Sequence, residues 1–145
     1  MKEKKIHLRV ITPQAVKIDE KVDMVTMRCN TGYMGIMPGH EPRSAILDYG
    51  VMKITGGAEE TRWLAVLGGL AEIRDNHLTV LTGEAEWPQD IDIAHEQKQR
   101  ERLEQRLQGH KSDLEIRRDT ALLRRSLVRI KLRSYHPVGG SEWEE

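Results

Sequence analysis

Two groups of residues have types and spacings that invite chemistry. They are the segment Gly32-Tyr33-Met34-Gly35-Ile36-Met37-Pro38-Gly39-His40 and the arginines Arg118, Arg125 and Arg129. A glycine-rich stretch can cradle phosphate, but a phosphate loop closes on Gly-Lys-Ser/Thr and leads into a helix. This one does neither. Its glycines are expected to set positive-φ turns in a surface loop. His40 has the chemistry of a metal ligand or a general base. The six histidines, at 7, 40, 77, 95, 110 and 136, show no ligand spacing, so no metal site is expected. No Ser/His/Asp or paired-carboxylate arrangement stands out, and no catalytic residue is assigned. Cys29 is the single cysteine, which excludes an intrachain disulfide. Its apolar surroundings predict a buried thiol acting as a small hydrophobe.

Arg118, Arg125 and Arg129 stand seven and four residues apart, which places them on one side of a helix. The stripe has two readings. It is a solvated face bridged to Glu96, Glu101 and Glu104 of the preceding helix, or it grips an acidic protein partner through bidentate Arg–carboxylate pairs. Nucleic acid fits poorly, because no aromatics interleave the stripe and the formal net charge is zero. That zero hides a split: residues 1–90 carry 11 Lys/Arg and 13 Asp/Glu, whereas 91–134 carry 12 and 7. Unequal charge along the chain points to separate contact surfaces.

The elements that must position these groups follow from periodicity. Ile6, Leu8 and Val10 alternate with His7 and Arg9, as on a half-buried strand. Further strands are predicted over 15–18, 22–29, 44–47, 51–55, 61–67, 69–74 and 77–82. Turns fall at Asp48-Tyr49-Gly50, Gly56-Gly57 and Asp75-Asn76. About eight strands without crossover helices imply antiparallel pairing in a sandwich or flattened barrel. After Trp87-Pro88 the composition becomes helical. One helix is predicted over 91–108, capped by Asp90 or Asp92, then a break at Gly109-His110. Ser112-Asp113-Leu114-Glu115 has capping-box spacing and opens a second helix to about Ser134. A connection this short makes the helices antiparallel neighbours. Ile116, Leu123, Leu127 and Ile130 form the second helix's apolar stripe. The first helix has few large apolar residues (Ile91, Ile93, Leu103 and Leu107), so its stability must come from packing.

The expected architecture is therefore α+β in two parts. Residues 1–88 form an antiparallel β-sandwich, 89–136 an antiparallel helical hairpin, and 137–145 a disordered tail. No apolar run approaches the roughly 20 residues that span a bilayer, and the opening Met-Lys-Glu-Lys-Lys lacks a signal-peptide core. A cytoplasmic, soluble chain is expected, without direct membrane insertion.

Several motifs, in order, carry a resemblance. They are Thr12-Pro13 after the first strand, Gly35-Ile36-Met37-Pro38-Gly39-His40, Gly68-Gly69, Leu78-Thr79-Val80-Leu81, Asp90-Ile91-Asp92 and the Arg-rich final helix. Over nearly its whole length the chain resembles the epsilon subunit of F-type ATP synthases. The resemblance implies a non-catalytic central-stalk subunit, peripheral on the cytoplasmic face of the bacterial plasma membrane. Its sandwich would tie the gamma subunit to the c ring. Its hairpin would lie folded or extend into the catalytic head, where it would block rotation and inhibit ATP hydrolysis. By the same resemblance, Gly32, Tyr33, Gly35, Ile36, Pro38, Gly39 and His40 are rotor contacts. Arg118, Arg125 and Arg129 would meet an acidic segment of the beta subunit, beside alpha.

Many bacterial members also bind ATP through an Ile/Leu-Asp-x-x-Arg-Ala motif with outlying acidic and Arg residues. This chain keeps Ile91 and Asp92, with Glu86, Arg125 and Arg129 as outliers, but has His95 and Glu96 at the motif's last two positions. A histidine in place of a permanent cation weakens phosphate pairing, and Glu96 adds a repelling charge. ATP affinity is expected to be weak or absent, with no other cofactor. Tyr33, where relatives often carry an acid, and Glu41 and Arg43, where small or apolar residues are common, alter the rotor contact. Two other classes of function compete: an ATP-binding sensor domain, and a stand-alone β-sandwich adaptor with a helical tail.

Overall fold

The computed structural model describes residues 4–109 and 112–135. The tail expected to be disordered and His110 of the interhelical break lie outside the described residues. The chain divides after Glu86 into a β unit and a helical unit.

The β unit has eight strands: β1 (Ile6–Ile11), β2 (Val16–Val22), β3 (Met24–Cys29), β4 (Gly32–Ile36), β5 (Arg43–Thr55), β6 (Thr61–Arg74), β7 (His77–Leu81) and β8 (Ala85–Glu86). They form one sheet in the order β2-β1-β7-β6-β5-β3-β4, with β8 on β6. β7 pairs with residues 70–74 of β6, whereas β8 pairs with residues 65 and 66. The long β5 and β6 thus serve both layers of a sandwich whose edge strands are β2 and β4.

Four details differ from the sequence reading. The turn expected at Asp48-Tyr49-Gly50 lies inside a continuous β5, and the strands expected over 61–67 and 69–74 are one β6. Gly68 (φ 82°) and Gly69 (φ 128°) kink β6 there while the β5–β6 register is kept on both sides. Gly32–Ile36 is a strand antiparallel to β3, not a loop. Gly32 (φ 126°) and Gly39 (φ 88°) take positive φ, but Gly35 does not. Pairing is antiparallel everywhere except β1 against β7. Finally, β2 runs on to Val22, where the sequence predicts the start of the following strand.

The core alternates as pleated strands require. Ile6, Leu8 and Val10 of β1, Leu78 and Val80 of β7, and Val25, Ile54 and Leu64 are fully buried. Cys29 is buried as expected, and desolvation pushes its thiol pKa up. The β6–β7 connection is a two-residue turn in which Asp75 (φ 51°) and Asn76 (φ 62°) both take positive φ, the type I′ geometry that matches strand twist. Glu20 of β2 anchors the β5–β6 loop. It accepts from Arg62 Nη1 and from the Ala58 amide, both at 2.8 Å. The Arg62 hydrogen bond is the main reason its carboxyl titrates below the usual range.

In the helical unit a 3-10 turn at Pro88–Asp90 precedes α1 (Ile93–Leu107) and α2 (Asp113–Ser134). Asp90 lies in that turn, and Asp92 caps α1 by accepting from the His95 amide at 3.2 Å. Ser112 and Glu115 complete the expected capping box. The α2 seam departs from expectation. Its buried residues are Asp119, Ser126 and Leu132, while Ile116 and Leu127 are 41% and 43% exposed. Ion pairs Asp119–Arg106 and Glu96–Arg129 draw α2 onto α1 along a polar line, so part of the apolar stripe sits outside it. On α1 the buried residues are Glu96 and Leu103.

Candidate protein–protein interface

The rotor-contact residues span an edge strand and the loop after it. Within β4, Gly32 pairs with Cys29, Tyr33 with Arg28 and Ile36 with Val25. Ile36 is fully buried and anchors the segment; Tyr33 is 59% exposed. The Arg28 guanidinium lies 5.5 Å from the Tyr33 ring centroid and 3.5 Å from Asp48, so the tyrosine is held in place by a cation–π contact. Beyond β4, the Gly39 amide donates to Asn76 Oδ1 at 2.7 Å, and the His40 amide donates to the Met37 carbonyl. Residues 39–43 line an open groove of about 460 Å³. His40 Nδ1 donates to the Glu41 carbonyl at 2.8 Å, which holds its ring against its own loop.

The Arg stripe separates on folding. Arg118 is exposed, whereas Arg125 and Arg129 are half-buried. Arg129 Nη1 lies 3.8 Å from Glu96 Oε1, so the bridged reading holds for that arginine. The ATP candidates are divided between the two units. Glu86 belongs to β8, while Ile91, Asp92, Arg125 and Arg129 belong to the helical unit. Ile91 is buried beside the 3-10 turn, and Asp92 spends its carboxylate on the helix cap.

Two contributors escaped the sequence reading. Asn76 was read only as a turn residue, yet it clamps the loop 37 positions earlier. Asp119, given no role from the sequence, is fully buried with Arg106 Nη2 3.3 Å away. Neither had a signal in local spacing. Among the described residues there is no group of three or more His, Cys, Asp or Glu placed to hold a metal ion. No helix among them is long and apolar enough to cross a membrane.

Comparison with known proteins fits this two-unit plan. Residues 5–88 match the family described as ATP synthase, Delta/Epsilon chain, beta-sandwich domain. The ATP synthase epsilon chain of Nitratidesulfovibrio vulgaris is 37% identical over 131 residues, covering 90% of this chain and 97% of the relative. That of Bacillus mycoides is 33% identical over 123 residues, covering 85% and 92%. A chain of the Euglena gracilis mitochondrial ATP synthase, in a cryo-EM structure of OSCP/F1/c-ring, superposes with a TM-score of 0.80. It covers 92% of this chain and 83% of that one at 21% identity, a likeness of fold.

Proposed function

The chain belongs to the family of ATP synthase epsilon chains, and on that premise we propose that it is a non-catalytic central-stalk subunit of a membrane-bound ATP synthase. In this reading the β unit joins the gamma subunit to the c ring, and the helical arm restrains ATP hydrolysis at the alpha and beta subunits. The observation that carries it is the match of both parts in order: the family's sandwich domain over 5–88, and epsilon-chain relatives extending through the hairpin. The protein attaches peripherally through its partners.

The pinned β4 loop offers a preformed rotor contact, with exposed Tyr33 and Met37 as its apolar surface. Exposed Arg118 is the arginine best placed to meet an acidic segment. Removing residues 89–145 tests the arm. Hydrolysis by the reconstituted complex is expected to rise several-fold, a barrier change of about 1 kcal/mol, while the β unit still assembles. An unchanged rate with intact assembly means the arm is not inhibitory.

The arm closes without nucleotide in this reading. Glu96 pairs with Arg129 and adds a carboxylate that repels a phosphate, while His95 takes the place of a permanent cation. Calorimetric titration with ATP is expected to give no heat at micromolar concentrations. Saturable micromolar binding would favour the sensor reading instead.

A further inference from the structure

The two ion pairs of the hairpin share one geometry. Glu96 and Arg106 stand ten residues apart on α1, Asp119 and Arg129 ten apart on α2. In an antiparallel hairpin, 96 opposite 129 and 106 opposite 119 are the same register, symmetric about the connection near Ser112. Both pairs are formed in that register, at 3.8 Å and 3.3 Å. They sit about 15 Å apart along the helices, one toward the base of the hairpin and one toward its turn. Sliding one helix by a single turn would break both.

The acids are withdrawn from water while their arginines are less so. Asp119 is 0% exposed and Glu96 7%, whereas the Arg106 and Arg129 side chains are 35% and 19% exposed. Neither oxygen of Asp119 accepts a well-formed hydrogen bond, nor does Glu96 Oε1. An apolar seam would have no such groups. Here the middle of the α2 seam is Ser126, and Ile116 and Leu127 stand exposed.

We propose that Glu96–Arg129 and Asp119–Arg106 form a reversible clasp, which sets the hairpin's register and holds it closed by charge. Buried pairs specify register because a mismatched alignment strands a charge away from water. When the helices part, all four charged groups regain water, and the apolar area opened is chiefly that of Leu103 and Leu132. The clasp concerns the hairpin alone and holds whichever partner the arm meets.

A double-mutant cycle on the full chain tests it, using the variants D119N, R106M and D119N/R106M. The readout is hydrogen exchange of the α1 and α2 amides, with the β-unit amides as internal reference. D119N keeps the side chain's shape and removes its charge. It is expected to speed helical exchange at least about tenfold while the β unit is unchanged. The double variant should fall short of the product of the two single effects by about threefold or more. Unchanged or slower exchange in D119N overturns the proposal, as do single effects that simply multiply. E96Q is expected to repeat the acceleration through the second pair.

Discussion

Gly69→Ala is expected to destabilise the β unit by about 3–5 kcal/mol, through left-handed backbone strain plus overpacking. Gly69 has φ +128°, and an added Cβ would lie 2.2 Å from the Leu81 carbonyl oxygen and 3.0 Å from Thr82 Cα. Those are backbone atoms, so no side chain can swing aside. β7 must shift away from β6 next to its Leu70–Leu81 pair. Because β7 joins β6 to β1, the whole β2-β1-β7 layer feels the change. Gly83→Ala is the control, since nothing lies within 4 Å of its added Cβ. Urea unfolding read by β-unit amide exchange should show a large drop for Gly69→Ala and little for Gly83→Ala. Equal stabilities would mean that the kink does not need glycine.

Leu103→Ala is expected to open the helical unit while sparing the β unit. Leu103 is 0% exposed and is the one buried apolar residue within α1 among the described residues. Emptying such a site costs about 2–5 kcal/mol, which rivals the entire stability of a two-helix unit. Amide exchange across α1 and α2 should approach that of an unprotected segment, with β-unit protection retained. In a reconstituted ATP synthase, hydrolysis should then rise toward the level of the 89–145 truncation. Helical protection equal to that of the parent chain would show that the seam does not depend on Leu103. Protection lost without a rise in hydrolysis would instead count against inhibition by intact arm helices.

Much of the fold was legible because its determinants are local. The alternation of Ile6, Leu8 and Val10, the Asp75-Asn76 turn and the Ser112–Glu115 capping box each depend on neighbours within a few residues. All three formed as read. The bends were misread for an equally physical reason. Gly50 and Gly68-Gly69 look like chain reversals in sequence, but Gly50 pairs with Val66 within β5, and β6 kinks at Gly68-Gly69 and continues. Likewise, Gly32–Ile36 carries loop-forming glycines, yet pairing with β3 makes it a strand.

The interface divides along the same line. The sequence was enough to mark the Pro38-Gly39-His40 segment and the arginines of α2, and to identify the family, since residue type and order carry that information. Only the tertiary structure showed what holds and what occupies them. Asn76 reaches the Gly39 amide from a distant turn, Glu96 takes Arg129, and Asp119 turns inward to Arg106. Helical periodicity assigns residues to faces by their apolarity. Which face closes is decided by the partner helix, and α1 offers Glu96 and Arg106 in a register that matches the charges of α2. The inward line therefore mixes Asp119, Ser126 and Glu96 with Leu103 and Leu132, and Ile116 and Leu127 are left outside it.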